Sequence, residues 1–168
     1  MPLLTDAWAE LSPCRTYRYT LGRRVNTCDG RVVFVLLNPS RADETQTDPT
    51  LTRCVGFARS WGFGVVVLVN LFALRSTDPA QLWKASDPIG PDNNDAIARC
   101  ARAASLIVCG WGSQSKATAR ASAVEALLRE HGPIHHLGRN ADGSPKHPLY
   151  LPANREPILW TEHQEISA

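Results

Sequence analysis

The chain has 168 residues, of which 43% are hydrophobic, 20% charged and 7% aromatic. This composition is typical of one globular domain, and a chain of this length buries roughly 70% of its unfolded surface without disulfides or a structural metal. Lysines and arginines number 18 and aspartates and glutamates 16, which leaves a formal charge of +2. This balance excludes recognition of nucleic acid through net charge alone, so that argument depends on local clusters.

The cysteines and the apolar runs indicate the compartment. The five cysteines are odd in number and form no C-x-x-C pair, so neither a disulfide framework nor a zinc site is predicted. The longest apolar run, residues 65–69, is too short to cross a bilayer, and the first residues lack the pattern of a signal peptide. We therefore expect a cytoplasmic monomer with no membrane contact and with no metal or other cofactor.

The most basic stretch of the chain is residues 15–31, where five arginines accompany one acidic residue, Asp29. Tyr17 and Tyr19 alternate with the first two of these arginines. Interleaved basic and aromatic side chains can contact a polyphosphate backbone, and the same pattern is typical of a solvated edge strand. Residues 1–30 are accordingly predicted to form a basic N-terminal hairpin or extension.

Strands and helices alternate along the remainder of the chain. Three apolar runs predict buried parallel strands, at residues 31–37, 65–70 and 106–109, and residues 134–137 are predicted to form a short fourth strand. A helix between the first two strands is predicted from the Asp48-Pro49 cap to Gly62, and two further helices precede and follow the third strand.

This order of elements predicts the fold class. Right-handed crossovers place helices on both faces of a parallel sheet. The prediction is an α/β fold, a three-layer α/β/α sandwich around a short central parallel four-stranded sheet. Residues 1–168 are assigned to a single domain, with a βαβ core at 31–140 followed by a loop and tail at 141–168.

Polar residues follow the predicted strands, at the edge where open parallel sheets bind ligands. Asn38 comes directly after the first strand. Its amide can position a water or read a base edge, and it can equally form a turn before Pro39. Asp43 and Glu44 are ranked as general bases above Asp48, because Asp48 is also predicted to cap a helix.

The later segments supply further candidates. His147 lies in a proline-bounded loop, where an imidazole can hydrogen-bond a substrate carbonyl or a leaving anion. Arg53 and Arg75 can hold a phosphate or pair with nearby aspartates, and Trp111 can stack on a planar ligand or fill the core. The remaining candidates for substrate binding are Ser40, Asn70, Ser113 and Tyr150.

The order of short motifs along the chain resembles one family. The motifs are Leu37-Asn-Pro-Ser40, Asp48-Pro-Thr-x-x-Arg53-Cys54, Asn70-Leu-Phe-Ala73, Asp87-Pro-x-Gly90-Pro91, Trp111-Gly112 and His147-Pro-Leu-Tyr150. Over roughly residues 17–152 they resemble the bacterial and phage family catalogued as a domain of unknown function, number 1643. That family brings no established activity.

A more distant resemblance is to the uracil-DNA glycosylase superfamily, especially its mismatch-specific branch. It is carried by a strand ending in Asn-Pro, a second ending in Asn, a third ending in Gly, and a late His-Pro loop. The resemblance implies a uracil-DNA-glycosylase-like fold, with Asn38 positioning the water and His147 contacting the departing base. It implies a base-stacking aromatic, Phe63 or Trp111, whereas Leu149 replaces the serine that usually follows His-Pro.

These observations lead to three hypotheses, of which the first is favoured. The first is hydrolysis of the N-glycosidic bond of a damaged or modified base in DNA or a nucleotide, with Asn38 and either Asp43 or Glu44 serving the water and His147 stabilising the leaving base. The second is a non-catalytic module that recognises a modified base or nucleotide. The third is a phosphohydrolase or nuclease that uses Asp43, Glu44 and Asp48 on a divalent ion.

Overall fold

The computed structural model describes residues 6–161. The strands in this range are β1 (Ala7–Leu11), β2 (Arg18–Arg24), β3 (Arg31–Leu36), β4 (Val65–Asn70), β5 (Leu106–Cys109), β6 (His135–His136) and β7 (Ile158–Leu159). The α-helices are α1 (Pro49–Ser60), α2 (Asn93–Ala103) and α3 (Thr118–Arg129), and short 3-10 turns span Pro79–Lys84, Ser115–Ala117 and Pro148–Tyr150. None of the described helices has the length and apolar character needed to span a membrane.

The strands form one mixed sheet in the order β1-β2-β4-β3-β5-β6-β7. β3 pairs in parallel with β4 and β5, and β5 pairs in parallel with β6. The prediction of a four-stranded sheet was incomplete, because antiparallel strands extend this centre at both sides. β7 has only two residues, Ile158 and Leu159, both exposed, so its apolar run is too short to predict a strand.

Alternate residues of the central strands enter two separate cores. Val33, Val35 and Val67 pack with Ile97 of α2 and Leu128 of α3. The residues of opposite parity pack with the inward side of α1; this second core includes Val32, Phe34, Leu36, Leu51 and Phe57. Helices therefore cover both faces of the sheet, as the alternation of strands and helices predicts.

The connections between the parallel strands reverse direction at the centre of the sheet. From β3 the chain passes through α1 to β4 on one side, and then through α2 to β5 on the other side of β3. In open α/β sheets, ligands bind outside the carboxyl ends of the strands at such a reversal. A ligand site is therefore expected at the segments that follow β3 and β5.

The N-terminal hairpin of β1 and β2 holds the loop that follows β3. Arg18 is 2% exposed, and its guanidinium donates to the Ala42 carbonyl at 2.9 Å. The Arg23 guanidinium donates to the Asp43 carbonyl at 2.6 Å. These two arginines of the basic stretch are thus engaged with protein carbonyls, whereas Arg15 pairs with the carboxylates of Asp43 and Glu44.

Candidate functional site

A cleft of about 530 Å³ opens at the carboxyl edge of the parallel strands. Its lining comes from the segments after β3, β4, β5 and β6, together with the first turn of α1. Of the residues predicted from the sequence, the cleft brings together Asn38, Ser40, Trp111, Ser113, His147 and Tyr150.

Asn38 is held by hydrogen bonds on one side of its amide. Its Nδ2 donates to the Ser76 carbonyl at 2.8 Å and to the Pro39 carbonyl at 3.0 Å. These bonds fix the orientation of the side chain and leave Oδ1 as the atom that can accept from a ligand or a water. Asn38 therefore shapes the loop through its donor and keeps an acceptor for chemistry.

The protonated nitrogen of His147 is set by a local hydrogen bond. Its Nδ1 accepts the Leu149 N–H at 3.2 Å at the start of the 3-10 turn, so Nε2 carries the proton of the neutral ring. Burial lowers the pKa of His147 below its usual 6.5, and the Asp48 carboxylate opposes this effect. At neutral pH the cleft thus contains a neutral imidazole with an N–H donor.

Glycines after β5 allow the loop that carries His147 to approach the sheet. A Cβ on Gly110 would lie 2.9 Å from Pro148 Cδ and 3.3 Å from the Lys146 carbonyl oxygen. Gly112 has a φ of +78° and donates its N–H to the Pro145 carbonyl at 2.9 Å. A side chain at Gly110 would push this loop away from β5, so the glycine determines the width of the cleft.

Trp111 and Ser113 connect the cleft to the packing behind it. Trp111 is only 5% exposed, and its ring centroid lies 5.8 Å from that of Trp160. It therefore fills the core and also lines the cleft. The Ser113 hydroxyl donates to the Asp142 carboxylate, and the hydrogen bonds from Ser113 and Ser144 lower the pKa of Asp142 to about 2.

Asp48 joins helix α1 to the cleft. Its Oδ1 accepts the Leu51 N–H at 2.8 Å and caps the helix, while its Oδ2 accepts the Ser40 hydroxyl at 2.9 Å. Asp48 does not line the cleft but lines the groove beside α1, and its bond to the Ser40 hydroxyl positions Ser40 in the cleft wall.

The two carboxylates predicted as bases do not line the cleft. Asp43 Oδ1 accepts the backbone N–H groups of Thr45 and Gln46 at 2.9 and 2.8 Å, and these bonds lower the pKa of Asp43 to about 2. Glu44 is half exposed and pairs with Arg15 at 3.2 Å. Both carboxylates organise the loop after β3, and a carboxylate with a lowered pKa is a weak proton acceptor.

The remaining predicted residues also lie outside the cleft lining. Phe63 precedes β4 at the amino end of the strands, against Gly30, so Trp111 is the candidate aromatic that lines the cleft. Arg53 lies in a groove beside α1, and Arg75 lies in a hollow next to the cleft. Asn70 is 1% exposed, and its side-chain nitrogen and oxygen have no hydrogen-bond partner within residues 6–161.

Six polar residues that line the cleft were not predicted as site residues, namely Thr50, Ser76, Thr77, Gln114, Asn140 and Lys146. Lys146 Nζ donates to Asn140 Oδ1 at 3.3 Å, and both residues line the cleft. Lys146 stands directly beside His147 in the sequence, which is the signal that could have selected it. Asn140 comes from a turn without any periodic pattern, so only the folded structure reveals it.

The carboxylates of the metal hypothesis do not form an ion site. Within the part of the chain that the structure describes, no group of three or more His, Cys, Asp or Glu side chains could hold a metal ion. The Asp43 carboxylate accepts the Thr45 N–H in its own turn, and Glu44 pairs with Arg15. The Asp48 carboxylate caps helix α1. The geometry therefore gives no support to a phosphohydrolase or nuclease that uses these three residues.

An α/β sheet with a cleft formed by the loops at its carboxyl edge is the class of site that binds small ligands or single nucleotides. The sequence profile of the family described as "Protein of unknown function (DUF1643)" matches residues 18–149. The chain belongs to this family, as the order of its motifs predicted. No curated protein and no solved structure matches the chain.

Proposed function

We propose that the protein recognises a nucleobase in the cleft and hydrolyses the N-glycosidic bond of a damaged or modified base in DNA or in a nucleotide. The observation that carries this proposal is the presence of Asn38 and His147 in one cleft. The Asn38 amide oxygen accepts from the attacking water, and the His147 Nε2–H donates to the base as negative charge develops on it.

The reaction needs few groups from the protein. The water oxygen bonds to C1′ of the sugar while the C1′–N bond breaks. The base leaves with the bonding electron pair and takes up a proton, and the water releases one proton to solvent. Trp111, which lines the cleft, would contact the planar face of the base.

The fold that we propose in detail is uracil-DNA-glycosylase-like. Support comes from the parallel centre of the sheet, from helices on both faces, and from the positions of the Asn-Pro and His-Pro motifs at the same edge. If the substrate is duplex DNA, the base must leave the stack before it can enter the cleft.

One observation favours a second candidate, a module that binds a modified base without catalysis. Among residues 6–161, no aspartate or glutamate lines the cleft. Asn38 can orient a water but cannot take its proton, so a general base is missing from the cleft itself. Under this alternative the protein binds a modified base tightly and releases no product.

The test is base release from single- and double-stranded oligonucleotides that carry uracil, hypoxanthine, oxidised or hypermodified bases, with chelator present. We expect release by the native protein, none by Asn38→Ala, and a loss of about 10²-fold or more for His147→Ala. Asn94→Ala, an exposed asparagine on α2, is the matched control and should keep full activity.

The same assay separates the two candidates. Binding of a modified base without release, lost in Asn38→Ala or His147→Ala, would establish the binding module. If the native protein neither binds nor releases any base in the panel, both candidates are wrong.

A further inference from the structure

A second concave surface lies directly beside the cleft. This hollow of about 490 Å³ shares Ser40, Ser76 and Thr77 with the cleft lining. Because the two share wall residues, a ligand can extend from one into the other. The charged side chains that line the hollow are all arginines, namely Arg15, Arg41 and Arg75.

Two of these guanidinium groups have donors to spare. Arg41 is exposed, and its side chain makes no hydrogen bond or ion pair to the described residues. Arg75 is held in place by bonds to the Arg15 and Arg41 carbonyls at 3.4 and 3.5 Å. A guanidinium has five N–H donors, so most of the Arg75 donors remain for a ligand.

The two nearby carboxylates, Asp43 and Glu44, neutralise only part of the charge of the three arginines. Asp43 and Glu44 pair with Arg15, but neither carboxylate lines the hollow. Asp43 Oδ1 is turned into its own loop by Thr45 and Gln46, and its Oδ2 lies 4.0 Å from Arg75. The surface presented to a ligand is therefore cationic.

Arg15 lies in the turn between β1 and β2, where its N–H donates to the Ser12 carbonyl at 2.8 Å. Within residues 6–161, Arg15 is the single non-glycine residue with a positive φ, 59°. That conformation is uncommon for a residue with a Cβ and persists only where the surrounding structure enforces it. It occurs at the rim of the hollow.

We propose that the hollow of Arg15, Arg41 and Arg75 binds the phosphate of the nucleotide whose base occupies the cleft. Guanidinium groups bind phosphate oxygens in a bidentate manner, and the exposed Thr77 hydroxyl is a further donor at the boundary. The assignment of the base to the cleft rests on the proposed function, whereas the phosphate contact does not. The ligand class is a phosphate monoester or diester that carries a nucleobase.

Binding measurements test the hollow directly. The probes are inorganic phosphate, deoxyuridine, deoxyuridine 5′-monophosphate and a labelled single-stranded oligonucleotide with one uracil, titrated at several salt concentrations. We expect the monophosphate to bind more tightly than the nucleoside, and Arg41→Ala to remove that difference. For the oligonucleotide, the slope of log K against log salt is negative, and Arg41→Ala should make it shallower by about 0.7.

Two further variants control for charge and for folding. Arg102→Ala removes the same charge from an exposed position on α2 and should change nothing. Arg75→Lys retains a charge but not the forked geometry and should weaken the monophosphate complex. Thermal melts of all variants confirm that they fold.

The outcomes distinguish the phosphate site from the proposed function. An effect of Arg41→Ala on the oligonucleotide identifies a diester, and an effect confined to the monophosphate identifies a monoester. An equal loss in Arg102→Ala, or no advantage of any phosphate-bearing probe over the nucleoside, overturns the phosphate site. Base release that is insensitive to Arg41→Ala would support the hydrolase and contradict the phosphate site. Arginine-dependent phosphate binding without base release would support the phosphate site and contradict the hydrolase.

Discussion

Asp48 shows how one carboxylate can serve both the fold and the cleft. Its two oxygens accept the Leu51 N–H at the start of α1 and the Ser40 hydroxyl in the cleft wall. A hydroxyl whose proton is engaged in this way offers lone pairs to a ligand. At the scale of single residues, the atoms that the cleft offers to a ligand therefore depend on two things. One is which residues line the cleft, and the other is which of their atoms already make hydrogen bonds within the protein.

Replacement of Asp48 separates its capping role from its charge. We expect Asp48→Ala to lower the free energy of unfolding by about 1–2 kcal/mol, since it removes the helix cap, and Asp48→Asn to lower it much less, because asparagine also caps. Urea unfolding measures both values. Asp78→Ala, which removes the cap of the short 3-10 turn at Pro79–Lys84, is the control with a smaller expected loss. Equal stability of Asp48→Ala and the native protein would contradict the capping role.

The residues also explain how much of the site the sequence could reveal. Asn38 and His147 were predicted because each follows a strand or lies in a proline-bounded loop, and strand ends are visible in a sequence. Asp43 was favoured as a base on the same grounds. Its absence from the cleft lining depends on which N–H groups its oxygens accept and on which way it faces, and these are properties of the folded loop.

At the scale of elements, the loop that carries His147 depends on the segment after β5. Gly110 lies where any Cβ would meet Pro148, and the Gly112 N–H holds the Pro145 carbonyl. Two segments that are remote in sequence thus form one wall of the cleft.

Two glycine substitutions should have opposite effects. Gly110→Ala should destabilise the protein by about 1–3 kcal/mol through overpacking against a rigid proline ring, and it should weaken ligand binding. Gly56 lies in the interior of α1, and a Cβ added there meets no heavy atom within 4 Å. Gly56→Ala should therefore stabilise the protein by about 0.5–1 kcal/mol. Thermal or urea unfolding of both variants compares them. Destabilisation of similar size in the two would show that packing at Gly110 is not the cause.

The strands differ in how well the sequence predicts them. β3, β4 and β5 are β-branched apolar runs buried on both faces, and such runs are typical of parallel strands. β2 is also largely buried, yet it contains Arg18, Thr20 and Gly22. Arg18 can be buried because its guanidinium donates to the Ala42 carbonyl. Gly22 is buried because the Trp8 ring packs against it. Neither partner can be identified from β2 itself.

At the scale of the whole molecule, the buried His136 and the partly buried His147 couple stability to pH. Burial lowers the pKa of both His136 and His147 below 6.5. The unfolded chain therefore binds protons near pH 6.5 that the native protein does not bind, and stability rises with pH through this window. The lowered pKa values of Asp43 and Asp142 act in a separate window, between their usual 3.8 and about 2.

Acidification from above pH 6.5 to below it should consequently reduce the free energy of unfolding, and His147→Gln should show a smaller reduction than the native protein. Urea unfolding at a series of pH values measures this difference. Tyr150→Phe alters the exposed neighbouring ring, whose centroid lies 6.0 Å from that of His147, and should retain the native pH dependence. A pH dependence unchanged in His147→Gln would contradict a partly buried imidazole that is neutral at pH 7.

The pairing of β2 with β4 has a consequence for the order of folding. β2 precedes β3 in the chain, yet its partner in the sheet is β4, which is synthesised only after α1. The hairpin can therefore join the sheet only after β4 is present. Contacts between segments that are distant in sequence form slowly. Arg18 and Arg23 reach the loop after β3 from that hairpin, so the loop becomes fixed only once the hairpin has docked. We therefore expect the part of this loop at Ala42 and Asp43, which follows Asn38 and Ser40, to reach its final position late in folding, after the parallel centre has formed.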